Sequence, residues 1–417
     1  MSLFGVSRAP RNLVFGAGQR SALAGFSRAL GSTALVVTDE RFAATPEFAA
    51  MMDSLGRADV RTTVFDATIA ELPVDCIAKA AETGKRGGVD FVIGIGGGSC
   101  LDAAKVASLL LAHGGEVADY YGEFKVPGPV LPLISVPTTS GTGSEVTPVA
   151  VVTDPDRALK VGVASPYLIS ETAICDPELT YSCPPGLTAV SGADALTHAI
   201  EAFTTLRREP SGQLAHEHVF IGKNAISDNH ALVAIGLIAS SLKRTCEKGD
   251  DVEARARMML GATSAGLAFG VAGTAAAHAV QYPIGAMTHT PHGAGVAVMM
   301  PYVMEFNRNH CAAELAEVGK AMGLSSDGKT VGEQVDATID EVAGLFAAIG
   351  IPETIEDLGV SADQTSQIAD QAMTITRLVK NNPRPITKEG MTSLVEAAFS
   401  GDRSGLRTAA EQEAESK

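Results

Sequence analysis

No basic run of note interrupts the 417 residues: 32 lysines and arginines stand against 48 acidic residues, a net charge of −16. That balance argues against nucleic acid or an anionic membrane as a partner. No CxxC pair or framework spacing relates the six cysteines, at 76, 100, 175, 183, 246 and 311, so they read as reduced intracellular thiols. No apolar stretch reaches the roughly 18 residues a membrane span requires. The first eight residues, Met1 to Arg8, lack the charged start and long apolar run of a secretory signal. The cytoplasm is the expected compartment. No internal repeat is visible, and only the polar Thr408 to Lys417 tail is expected to fray.

What is present describes a globular chain: 46% hydrophobic, 19% charged, with 43 glycines that permit close backbone approaches. Its length implies two domains. From Leu13 to Asp176, short apolar runs (13–15, 34–38, 61–65, 91–95, 131–136, 149–153) alternate with amphipathic helical stretches (21–30, 44–55, 74–85, 99–112). The alternation predicts a doubly wound, mainly parallel sheet of the dinucleotide-binding type. It breaks at Cys183-Pro-Pro-Gly186. Beyond it the helical patterns 187–204, 228–246, 252–269, 274–282, 312–322, 331–348, 362–376 and 387–399 predict an all-α domain. The expected domains are therefore 1–184 (α/β) and 185–417 (all-helical).

Four residues of the second half stand out as metal-ligand candidates. Asp194 and His198 are four apart in an Ala/Leu-rich helical pattern and project from one face. His278 lies in a second helical pattern, and His292 follows in a Pro-bearing loop placed to fold back toward it. Each alone has a duller explanation as a surface pair or helix-end group. Together, in Ala/Gly-rich surroundings where an unpaired carboxylate or imidazole is costly to bury, they suit Fe(II) or Zn(II) better than Mg(II) or Ca(II).

In the first half, an apolar run ends in Gly96-Gly97-Gly98-Ser99 and opens into a helix. That is a phosphate-binding turn, or a tight turn whose glycines serve packing alone. Ser135 to Thr147, dense in hydroxyls and glycines, follows another apolar run and can wrap a nucleotide. Asp39 ends the run 34–38, about 21 residues after Gly16-Ala17-Gly18. An acid so placed accepts from a ribose 2′-hydroxyl and favours NAD over NADP, unless it is simply an exposed strand-end acid. Lys160 is an isolated cation in an apolar run, either on a surface edge strand or facing the cofactor.

The motifs GGGSCLDAAK (96–105), PTTSGTGSEVT (137–147), GADALTHAIE (192–201), HAVQYPIGA (278–286) and HTPHG (289–293) together resemble the iron-containing (group III) alcohol dehydrogenase family over essentially the whole chain. The resemblance implies an architecture like that of dehydroquinate synthase, with a nucleotide domain followed by a helical metal domain. It implies Asp194, His198, His278 and His292 as metal ligands, with Fe(II) preferred and Zn(II) possible. It also implies an NAD site lined by Asp39, Gly96, Gly97, Gly98, Ser99, Asp102, Thr138, Thr139, Thr147 and Lys160. The implied reaction is hydride transfer between nicotinamide C4 and a metal-bound alkoxide or carbonyl, with His278, His292 and Tyr282 as catalytic residues. The implied partner is a small alcohol, aldehyde or hydroxy acid, and a homodimer or higher homo-oligomer is expected on the separate ground that this is the commonest state of a soluble enzyme.

Two departures keep alternatives open. Tyr282 stands where many members of the family have a second histidine that relays the proton. The connection between Glu201 and Asp228 is longer than in the shorter members. Both are similar to the hydroxyacid-oxoacid transhydrogenase branch, which retains its nicotinamide, and Arg207 or Arg208 would then pair with a substrate carboxylate. A dehydroquinate synthase-like lyase and a metal-free binding protein are the remote alternatives. His289 is either a proton carrier or a loop residue, while His113, His216, His218 and His310 read as surface groups.

Overall fold

The computed structural model describes residues 3–157 and 160–408. The predicted fraying of Thr408 to Lys417 therefore lies, from residue 409 on, outside the described residues. Among the described residues there are nine strands: β1 (Asn12–Phe15), β2 (Thr33–Val37), β3 (Arg61–Phe65), β4 (Phe91–Gly96), β5 (Gly122–Glu123), β6 (Leu133–Pro137), β7 (Val149–Thr153), β8 (Lys160–Ala164) and β9 (Thr172–Cys175). Six form a parallel sheet in the order β1-β9-β6-β4-β2-β3. The other three form a small sheet, β5-β8-β7, in which β7 and β8 are antiparallel.

The strand sequences explain the parallel sheet. β2 and β4 are buried at every position, as strands covered on both faces must be. Their side chains alternate between two cores. Leu35, Val37 and Val92 join one apolar cluster, whereas Ala34, Val36, Phe91, Ile93 and Ile95 join the other. Helices therefore cover both faces, and the doubly wound prediction holds. The predicted strands appear within two residues of their expected ends. β5 and β9 were not foreseen, because two and four residues are too few to show alternation, and β8 opens at Lys160, for which an edge strand was one of two expectations, but lies between β5 and β7.

The chain divides into two compact units. One comprises Ser7–Cys183 together with Gly212–Val219. The other comprises the stretch ending at Val6, Pro184–Ser211 and the chain from Phe220 onward. Gly212–Val219 is fastened to the first unit by Arg8, whose guanidinium donates to the carbonyls of Ala215 (2.6 Å), His218 (3.2 Å) and Val219. The Val219 N–H donates to Glu123 at 2.6 Å.

In the second unit the Pro185–Thr204 helix packs against the Ala225–Ala239, Val252–Ala272 and His292–Asn307 helices around one alanine-rich core. The predicted 228–246 helix is two, Ala225–Ala239 and Leu242–Glu247, divided at Ser240-Ser241. The larger correction concerns His292. It opens a helix, His292–Asn307, where a loop was expected. Among the described residues no single helix is long and apolar enough to cross a membrane.

Candidate functional site

Each ligand candidate is placed by a local feature of its helix. Pro184 and Pro185 start the Pro185–Thr204 helix, proline being favoured at the first helical position because its missing N–H has no partner to lose. Asp194 and His198 then lie one turn apart on it. The Val252–Ala272 helix stops at Gly273, whose φ of +82° suits glycine, and the chain bends by 102° into the Ala276–Thr288 helix. Asn381 ties this break by donating to the Ala272 and Thr274 carbonyls. The bend puts His278 in the first turn of the new helix. His292 begins the following helix, and Gly293 beside it allows close packing: a Cβ there would lie 2.1 Å from the Val190 carbonyl oxygen.

These features converge on one atom. Asp194 Oδ1 lies 3.7 Å from His198 Nε2, 3.8 Å from His278 Nε2 and 4.0 Å from His292 Nε2. Donors held about 2.0–2.2 Å from one tetrahedral ion sit roughly 3.3–3.6 Å apart, close to this spacing. One donor each from Asp194, His278 and His292 all lie within 4.8 Å of one another. His198 joins through Asp194 and by stacking its ring on His278, with centroids 4.7 Å apart. Asp194, His198 and His278 are buried, and His292 keeps 27% of its side chain exposed.

Two observations test the fit to a metal. His278 Nε2 is buried and has no hydrogen-bond partner among the described residues, although it points toward a carboxylate oxygen. Burial, with the neighbouring His278 as a lesser cause, holds His198 well below its ordinary pKa, so its imidazole is neutral at pH 7, as ligation requires. Three imidazoles and one carboxylate are a donor set for Fe(II) or Zn(II). The residues fit.

Glu201, given no role from the sequence, reaches the same site. It is three residues beyond His198 and seven beyond Asp194, on the same stripe of the helix. Its buried carboxylate accepts from the Ala275 and Ala277 N–H groups at 2.9 and 2.8 Å and bonds His278 Nδ1 at 2.6 Å. The sequence signal was available: a lone acid on an Ala-rich helical stripe demands a buried partner. Tyr282, one turn after His278, has its ring 6.0 Å from that of His292. His289 is exposed and ends its helix with φ +55°. Arg207 pairs with Asp228 at 3.0 Å.

In the first unit the nucleotide candidates gather at the carboxyl ends of β2, β4 and β6. The chain runs from β2 outward to β3, returns to β4 and continues to β6, so the winding direction reverses between β2 and β4, where ligands bind in such sheets. Asp39 follows β2 and Gly97 follows β4. Gly96 has φ +151°, and a Cβ there would strike Cys100. Gly97 caps the 16-residue Gly98–His113 helix without any side-chain bond, leaving backbone N–H groups for an anion. A Cβ on Gly98 would lie 2.6 Å from Thr142, so the cradle needs glycine there, whereas one on Gly97 would make an ordinary 3.5 Å contact with Thr139. Asp39 Oδ1 accepts from the Phe42 N–H, and Oδ2 lies 3.7 Å from where a Gly96 Cβ would be. Asp39 thus reaches the turn because β2 and β4 are neighbours. The Gly16–Gly18 turn is engaged elsewhere, with the Gly18 N–H on Asp176.

Three candidates bond to the protein. Asp102 accepts from Ser144 Oγ at 2.6 Å and the Val151 N–H at 2.9 Å. Thr147 accepts from the buried Lys105 ammonium through both its carbonyl and its hydroxyl. Lys160 pairs with Glu71 at 2.7 Å. Asp102 and Lys105 together anchor the 144–151 segment that follows Thr138 and Thr139.

Comparison with known proteins agrees with both halves. A family model described as iron-containing alcohol dehydrogenase matches residues 10–177, and one described as the C-terminal part of the Fe-containing alcohol dehydrogenase family matches residues 188–399. Long-chain-alcohol dehydrogenase 1 of Geobacillus thermodenitrificans is 36% identical over 370 residues, 88% of this chain and 89% of that protein. A crystal structure of 1,3-propanediol oxidoreductase superposes with a TM-score of 0.89 at 27% identity, covering 95% of this chain and all of that one. Sulfoacetaldehyde reductase from Bifidobacterium kashiwanohense in complex with NAD+ gives a TM-score of 0.82 at 28% identity, covering 96% of this chain and 100% of that one.

Proposed function

Since the chain belongs to the iron-containing alcohol dehydrogenase family and is an oxidoreductase of the alcohol dehydrogenase or aldehyde reductase kind, we propose that it exchanges a hydride between NAD(H) and a small alcohol or aldehyde, with Fe(II) as its resident ion. The observation that carries this reading is the single carboxylate oxygen of Asp194 set 3.7–4.0 Å from three imidazole nitrogens.

Asp194, His198, His278 and His292 hold the ion. When bound, the ion would supply Lewis acidity toward the substrate oxygen, and the nicotinamide would supply a hydride acceptor or donor. Gly97, Gly98 and Ser99 offer N–H groups to the pyrophosphate, with Thr138 and Thr139 beside them. Asp39 accepts from a ribose hydroxyl and repels a 2′-phosphate, which favours NAD over NADP. Alcohol oxidation also releases a proton from the substrate oxygen. Tyr282, beside the solvent-accessible His292, passes that proton outward, and an unperturbed phenol titrates near 10 rather than near the 6.5 of a histidine. The protein is taken to be cytoplasmic and a homodimer or higher homo-oligomer acting on small molecules, which its net charge of −16 supports over nucleic acid or membrane.

The test is an assay of NADH absorbance on protein purified without air, stripped with chelator and reloaded with Fe(II) or Zn(II), offered short and long alcohols and 2- and 4-hydroxy acids. The expected result is alcohol-dependent NADH that disappears in the stripped protein and in His278→Ala. Equal activity without metal would overturn the reading. Cofactor that stays bound, with turnover only when a hydroxy acid and an oxo acid are both present, would replace it with the transhydrogenase.

A further inference from the structure

We propose that Glu201 is a positioning residue for the metal, fixing His278 in the tautomer whose Nε2 lone pair faces the ion; this rests on the metal-site reading above.

The argument is one of donors and acceptors. Glu201 Oε2 already receives the Ala275 N–H and Oε1 the Ala277 N–H, and backbone amides can only donate. His278 Nδ1 meets the same Oε2 at 2.6 Å. The proton of that contact belongs to Nδ1, because a bare nitrogen there would set its lone pair against a carboxylate oxygen. A neutral imidazole has one N–H, so Nε2 is left as an acceptor. Nε2 is the buried atom with no hydrogen-bond partner among the described residues, 3.8 Å from Asp194 Oδ1. The opposite tautomer would point a proton where the ion sits.

The same carboxylate ties ring orientation to backbone. Glu201 is 1% exposed and caps the first turn of the Ala276–Thr288 helix, just after the bend at Gly273. Its carboxylate sits at the N-terminal end of that helix, where an acidic side chain is favoured, and both of its oxygens accept there. It comes from the helix that supplies Asp194 and His198, so one carboxylate sets the third ligand relative to the first two. His198 has no such clamp. Its Nδ1 has no hydrogen-bond partner among the described residues, and its ring is held by stacking on Phe269, centroids 4.2 Å apart.

The experiment compares wild type, Glu201→Gln, His278→Ala and the double variant, each stripped and then titrated with Co(II) and with Zn(II). Far-UV circular dichroism and the melting temperature of the metal-free forms are read on the same samples. Glutamine keeps the shape, but its amide can donate to Nδ1 and drive the proton onto Nε2. The expected result is a dissociation constant raised about 10- to 100-fold in Glu201→Gln, with altered Co(II) absorption bands; the metal-free melting temperature falls as well, because the amide that turns to Nδ1 cannot accept from the Ala275 N–H, and it falls equally in the His278→Ala background. In the His278→Ala background the same substitution should cost no further affinity. Unchanged affinity in Glu201→Gln, or an equal loss with His278 already gone, would reduce Glu201 to a helix cap and overturn the proposal. Wild type that takes up no Co(II), or His278→Ala that binds as wild type does, would refute the metal site itself, and does so without any change at Glu201. Should Glu201→Gln fail to fold, 15N-histidine spectra of metal-free wild type, assigned with His278→Ala, decide: a proton on Nδ1 supports the proposal and a proton on Nε2 overturns it.

Discussion

Lys105 has none of its side chain exposed, and its ammonium donates to the Thr147 and Val149 carbonyls at 2.9 and 2.8 Å. Burial brings its pKa down from 10.5 to about 8, against the opposing pull of Asp102 and Glu145. Below about pH 8 both folded and unfolded chains hold this proton, and the folded chain bears the cost of a buried charge. Between about 8 and 10.5 only the unfolded chain holds it, so stability should rise with pH across that window. Denaturant titrations of wild type against Lys105→Met should diverge there by roughly 3 kcal/mol at most. Asp39 offers a second test at this scale. Because it also caps a short helix, Asp39→Gly is preferable to alanine, since glycine at such a cap costs only a few tenths of a kcal/mol. The ratio of kcat/KM for NADP over NAD should rise about tenfold or more, ~1.4 kcal/mol of discrimination. Residues at this scale were legible where spacing carried the signal, as with Asp194 and His198. The motif that names Asp102 did not reveal its partners within the protein, Ser144 and Val151, because a motif carries no contacts.

At the scale of elements, the approach of two helices decides whether His292 can join Asp194. A methyl group on Gly293 would sit 2.1 Å from the Val190 carbonyl oxygen and 3.1 Å from Asp194 Cβ. Backbone cannot swing aside as a side chain does. Gly293→Ala should therefore cost about 1–3 kcal/mol of stability, read by denaturant titration, and weaken metal binding more than Gly344→Ala, an open position on another helix. This helix is also the element the sequence concealed. Every residue from Gly293 to Asn307 is buried, so it shows no polar face and no amphipathic period, and Pro301 reads as a breaker. The sheet was legible for the converse reason: short apolar runs separated by amphipathic helices have few other solutions.

For the molecule as a whole, all four ligand candidates lie in one unit and the glycine cradle in the other. Metal and dinucleotide should thus stabilise different parts. Hydrogen exchange on stripped and Zn(II)-loaded protein should show slowed exchange in 185–204, 276–288 and 292–307 and little change in 91–113. At a metal concentration 100 times the dissociation constant the gain is about 2.7 kcal/mol. The unit division was only partly readable. The break at Cys183-Pro184 is marked by composition, whereas nothing in Gly212–Val219 announces that it packs with the first unit.

That segment has a consequence for the order of events on the ribosome. Arg8 is made early, yet two of its acceptors, Ala215 and His218, lie 207 and 210 residues downstream. The nucleotide half, whose last strand ends at Cys175, must wait for Val219 to emerge before its final hydrogen bonds can close. By then Asp194 and His198 have already been translated, while His278 and His292 have not. At roughly 5–20 residues per second the nascent chain spends several seconds with only half of the candidate ligand set made. The candidate ligand set is thus completed only after translation has passed His278 and His292, the last two of its three imidazoles.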